Sequence, residues 1–173
     1  MMREESLGIY SGFPERCHYA FFLGINVPVP DAQKALVCMM YELNGRSVKN
    51  QWSRSVGTDI DVIFEFGVAD GLIFHYINSD TLNLLLKTIN EREIRMLDFI
   101  CIIRYYMRGA RRNGKRRALR FDYYFLRFIF SNRHLKIRVF HEKGPQRISA
   151  REIIEFLVEN ISPVLTDETD VSG

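Results

Sequence analysis

Between residues 104 and 120 the chain carries eight basic side chains and no carboxylate: Arg104, Arg108, Arg111, Arg112, Lys115, Arg116, Arg117 and Arg120. Tyr105, Tyr106, Phe121, Tyr123 and Tyr124 interleave with them or flank them. Guanidinium and ammonium groups meet phosphates and release condensed counterions. Aromatic rings and guanidinium planes stack unpaired bases. This pattern points to RNA or single-stranded DNA before duplex, although no RNP-type motif, GXXG loop or zinc module accompanies it. The remaining chain balances sixteen bases against 21 acids, so one basic segment sits on a mildly acidic body whose net charge is +3 overall.

Other reactive residues combine poorly. His18, His75, His134 and His141 lack metal-ligand spacing, and no H-E-x-x-H, P-loop or G-x-S-x-G motif occurs. Cys17 and His18 are sequential, so a strand would turn them to opposite faces, a small buried thiol beside a surface imidazole. Asp59, Asp61 and Glu65 alternate and would share one face of a strand. That spacing suits a metal ion, but more commonly forms the polar side of an exposed strand. His141 and Glu142 face opposite ways, and Gly144-Pro145 turns the chain into a helix. Cys17, Cys38 and Cys101 are odd in number and widely spaced, which argues against a disulfide framework and for a reducing cytoplasm. The apolar run at 20–27 is too short to span a membrane. These features predict a soluble cytoplasmic protein that is not an enzyme, with no metal, cofactor or membrane partner.

The elements that must position the basic segment follow from periodicity. With 173 residues, 47% hydrophobic and 13% aromatic, the chain suits one folded domain. An irregular arm is expected over 1–16, a domain over 17–165 and a disordered acidic tail over 166–173. A strand is expected near 18–25, a helix over 32–43 ended by Asn44-Gly45, and a hairpin of strands near 60–66 and 72–77 around the VADG turn. Ser79 or Asp80 would cap a second helix with Leu82, Leu85, Leu86 and Ile89 on its buried stripe. The run FICIIRYYM has no 3.6-residue period, so 95–109 reads as a strand, turned by Asn113-Gly114 into 116–130. SNRH then leads into LKIRVFHE. Ser149 and Glu152 form a capping box for a last helix, stapled by Ile148 and Ile153 and stopped at Ser162-Pro163. Residues 46–58 resist assignment. The result is an α+β domain with a mainly antiparallel sheet and three helices, ordered β-α-β-β-α-β-β-β-α. Its first six elements resemble a ferredoxin-like fold in order alone.

Register sorts the faces. An Asn113-Gly114 turn pairs Arg112 with Lys115, and the SNRH turn pairs Phe130 with Leu135. One face then holds Leu97, Phe99, Cys101, Ile103, Tyr105 and Met107 with Tyr124, Leu126, Phe128 and Phe130, and the third strand adds Leu135, Ile137, Val139 and His141, a core surface to be covered by helices. Asp122 falls opposite Tyr105 on this side, with Arg120 nearby, and should make a buried hydrogen bond or ion pair. The opposite face holds Asp98, Ile100, Ile102, Arg104, Tyr106, Arg108, Phe121, Tyr123, Phe125 and Arg127. The third strand adds Lys136, Arg138, Phe140 and Glu142. Such a face can bind a nucleic-acid strand, with Tyr106, Phe121 and Tyr123 stacking bases. It can equally form a homodimer or dock a protein, since interfaces enrich the same residue types. It can also be hidden by the arm or by residues 46–58.

Overall fold

The stretch that lacks helical periodicity forms the longest strand. The computed structural model describes residues 6–48, 56–57, 60–112 and 115–165, with only the backbone at 108–112, 115–119 and 164. Within it β1 spans Tyr19–Gly24, α1 Val29–Leu43, β2 Ser47–Val48, β3 Ile60–Asp70, β4 Ile73–Tyr76, α2 Ser79–Glu91, β5 Met96–Arg112, β6 Lys115–Phe130, β7 His134–Lys143 and α3 Ala150–Leu165. The strands form one antiparallel sheet in the order β1-β7-β6-β5-β3-β2, with β4 added to β3. The Asn113-Gly114 turn, Asp59 and the tail 166–173 lie outside the described residues.

The fold is the expected α+β arrangement with one extra short strand, β2. Its likeness to the ferredoxin order stops at order, because β1 takes the sheet edge, antiparallel to β7. Leu97, Phe99, Cys101, Ile103, Tyr105, Tyr124, Leu126, Phe128, Ile137 and Val139 are all fully buried in one core with Leu36 and Met40 of α1, Leu85 of α2 and Ile153, Ile154 and Leu157 of α3. The three described helices thus pack on this face.

Local boundaries moved for identifiable reasons. Helix α1 begins at Val29 because a proline at the first positions gives up an N–H that has no helical partner anyway. The VADG segment belongs largely to β3, which runs on to Asp70, and Gly71 (φ +68°) makes the turn. Asn78, rather than Ser79 or Asp80, caps α2, its Oδ1 accepting from the Thr81 N–H at 2.9 Å. The capping box of α3 is present: the Ser149 N–H donates to Glu152 Oε2 (2.8 Å) and the Glu152 N–H to Ser149 Oγ (3.2 Å). Ser162-Pro163 does not stop that helix. Pro163 sits in its last turn, where few bonds are lost, and buried Leu165 continues it, its carbonyl accepting from the Asn26 N–H at 2.9 Å.

Candidate nucleic-acid interface

The hairpin β5–β6 leaves the sheet. Its outer neighbours end at the pairs Ile60–Met107 and Tyr123–Lys143. Beyond them, the backbones of 108–112 and 115–119 pair only with each other among the described residues, as in Arg111–Arg116 and Arg112–Lys115. The result is a two-stranded ribbon carrying Arg108, Arg111, Arg112, Lys115, Arg116 and Arg117.

Register inside the sheet differs from that at the tip. Phe121 pairs with Arg104, Tyr123 with Ile102 and Arg127 with Asp98, two residues out of step with the Arg112–Lys115 pairing. Irregularities between Arg104 and Tyr106, and between Tyr106 and Arg111, absorb the slip. A two-residue slip preserves side-chain parity, so the face assignments from 97 to 105 stand, whereas Met107, expected on the core side, is exposed where the sheet gives way to the ribbon.

The outer face is divided. The described part of the arm, residues 6–16, is wedged into the sheet rather than loosely laid on it. The Gly8 N–H donates to the Ala69 carbonyl (2.7 Å) and the Gly8 carbonyl accepts from the Asp98 N–H (2.6 Å), bridging β3 and β5. The Tyr10 ring lies 4.9 Å from both Phe74 and Phe125, and Phe125 is only 7% exposed. Arg127 donates through Nε and Nη2 to the two oxygens of buried Asp98, 2.8 Å each, and its guanidinium lies 4.2 Å from the Phe13 ring centre. Arg138 donates to the Glu15 carbonyl (2.5 Å) and also lies over Phe13. Two of the candidate binding residues, Arg127 and Arg138, are therefore structural clamps on the arm. Sequence spacing alone could not show this, because the covering segment lies over a hundred residues away.

Toward the ribbon no described contact of the arm is made, although Asp61, paired with Tyr106, is buried there. Arg104, Tyr106, Phe121 and Tyr123 are each partly exposed. The Arg104 guanidinium lies 5.1 Å from the Phe121 ring centre and 3.1 Å from Glu65, while its Nε makes no hydrogen bond. Partial desolvation opposes its charge, but Tyr106 and Glu65 hold it, and the balance lies above the usual guanidinium value. A β-bulge at Tyr123–Tyr124 changes the third strand: Lys143, not Glu142, pairs with Tyr123, and its ammonium stands 4.4 Å from that ring centre. An acid expected here is replaced by a base, which sequence register missed.

Behind this half, on the core side, Asp122 is fully buried. It accepts from the Tyr105 hydroxyl, the Gln146 N–H (2.6 Å) and the Arg147 N–H (3.0 Å), and lies 3.0 Å from His141 Nε2. The expected Tyr105 hydrogen bond is there, whereas Arg120 is exposed. Gly144 (φ +117°) lets this loop close on Asp122. Cys17 is half-buried rather than buried, and exposed His18 accepts from the His141 N–H at 2.8 Å. Asp61 is buried, so the β3 carboxylates do not form an exposed polar side, and no metal-holding cluster of His, Cys, Asp or Glu occurs among the described residues. No described helix is long and apolar enough to cross a membrane. Compared with protein-family models, curated proteins and solved structures, the chain matches none.

Proposed function

We propose that this protein binds single-stranded nucleic acid, RNA or DNA, without catalysing a reaction on it. One arrangement carries the reading: Phe121 beside Arg104, Tyr123 beside Lys143, and Tyr106 two residues on from Arg104 stand at the root of a ribbon with six basic residues and no acid. Bases stack on the three rings, each contact contributing roughly 1–3 kcal/mol. Arg108, Arg111, Arg112, Lys115, Arg116 and Arg117 track the phosphates along the ribbon. Arg127 and Arg138 stay with the arm. Because the arm already covers Phe125, the centre of the face needs no second protein to shield it.

Titration with a fluorescent oligonucleotide tests the reading. Affinity should fall steeply with salt, and Arg112→Glu with Arg116→Glu should abolish it while the fold is kept. Salt-insensitive binding, or none at micromolar protein, sinks it.

A further inference from the structure

The two edges of the sheet are finished differently. At one end β2 has two described residues and β4 four, the short strands that keep an edge from recruiting another chain. At the other end β1 offers six residues, Tyr19–Gly24, with no proline and no charge. The neutral stretch is longer still: no Asp, Glu, Lys or Arg occurs from Cys17 to Pro30, in a chain that is 26% charged.

Ladder parity shows which groups face outward. The Ile25 N–H donates to the Arg133 carbonyl (2.8 Å), and β1 pairs with β7 in the same register from Tyr19 to Gly24. Odd-numbered residues therefore bond to β7, and the N–H and C=O groups of Ala20, Phe22 and Gly24 point away from the sheet. No described residue pairs with them. Phe22 is 67% exposed beside them.

We propose that β1 is the dimerisation edge of this protein, pairing antiparallel with β1 of a second copy about a two-fold axis at Phe22. Phe22 then opposes Phe22 and Ala20 opposes Gly24, so about six main-chain hydrogen bonds form and the exposed rings meet across the axis. β1 brings no charge of its own to the seam, though the Lys136 ammonium of β7 stands 5.3 Å from the Phe22 ring centre. The segment 166–173, with three carboxylates, would place charge against it and is the poorer occupant. This dimer is separate from the nucleic-acid reading and does not rest on it.

Light scattering on the full chain should give twice the chain mass. Ala20→Pro removes an outward N–H and Phe22→Lys places a charge at the axis; each should halve the mass. Circular dichroism and melting should keep the folded signal, because neither change removes a hydrogen bond to β7; Phe22→Lys, set opposite Lys136, should lower the midpoint slightly and Ala20→Pro less. Mild oxidation of Phe22→Cys should link two copies, since opposed Cα atoms in such a pair lie about 5.5 Å apart, while the parent chain stays unlinked. A parent chain that stays monomeric well above micromolar concentration overturns the proposal. So does a dimer that survives both edge variants, or one that Phe121→Asp breaks instead.

Discussion

Asp98 and Arg127 face each other across β5 and β6, and both carboxylate oxygens are taken by one guanidinium at 2.8 Å. The carboxylate is completely buried, and its Oδ2 also accepts from the Tyr10 N–H at 2.8 Å. Charge, backbone and arm are thus tied at the middle of the outer face. The pair fastens a cover; it is not presented to a ligand.

Removing one partner should show this. Arg127→Ala strands a buried carboxylate and should cost about 3–5 kcal/mol, measured by urea unfolding. The same variant should speed proteolysis within residues 9–16 ahead of the rest of the domain. A loss below about 1 kcal/mol, the scale of an exposed pair, with unchanged cleavage would mean the pair does not hold the arm.

Much of this was legible beforehand, and the gap has a local cause. Asn113-Gly114 implies Arg112–Lys115, which the ribbon keeps, and SNRH implies Phe130–Leu135, which β7 keeps. Carried inward without irregularity, the first register sets Asp98 against Ile129. The two-residue slip sets it against Arg127. Faces survived because parity did, whereas the one charge pair that defines the covered half did not. Bulges depend on how strands meet their other neighbours, so one hairpin's sequence does not specify them. The arm was harder still, since Tyr10 and Phe13 find Phe125 and Arg127 only after the sheet exists.

Stability should fall on the alkaline side. Burial, reinforced by Asp122, raises the pKa of Cys101, Tyr105 and Tyr124 above ordinary values of 9.0 for the thiol and 10.0 for the phenols. The folded chain keeps all three neutral where the unfolded chain ionises them. Their stabilisation is complete below about pH 9 and is lost above it, by about 1.4 kcal/mol per pH unit for each group once its unfolded form is ionised. Urea midpoints at successive pH values should decline accordingly, and Tyr105→Phe should show a shallower slope. Equal slopes would place Tyr105 outside this linkage.

The loop that closes on Asp122 depends on a glycine. A Cβ at residue 144 would collide with the Phe121 carbonyl and the Asp122 carboxylate, at a φ of +117° that side chains rarely adopt. Gly144→Ala should destabilise by roughly 2–4 kcal/mol. Gly24→Ala, whose Cβ meets nothing within 4 Å, should stay within about 0.5 kcal/mol of the parent. Similar melting curves for both variants would contradict the loop geometry.

Glu65 separates an electrostatic platform from a merely packed one. It lies 3.1 Å from Arg104, which is stacked near Phe121 at the root of the ribbon. Both side chains are partly exposed, so their pairing contributes little to folding, at most about 1 kcal/mol. Near a phosphate, however, the carboxylate both repels the ligand and occupies the guanidinium. Glu65→Gln should therefore leave unfolding nearly unchanged and tighten oligonucleotide binding several-fold at low salt. If freed Arg104 gains a phosphate, the salt dependence of log affinity should steepen by about one ion. Arg104→Gln should move affinity the opposite way, and in that background Glu65→Gln should lose most of its effect. If Glu65→Gln weakens binding, or leaves it unchanged across the salt series, Arg104 does not contact nucleic acid and the binding surface is confined to the ribbon.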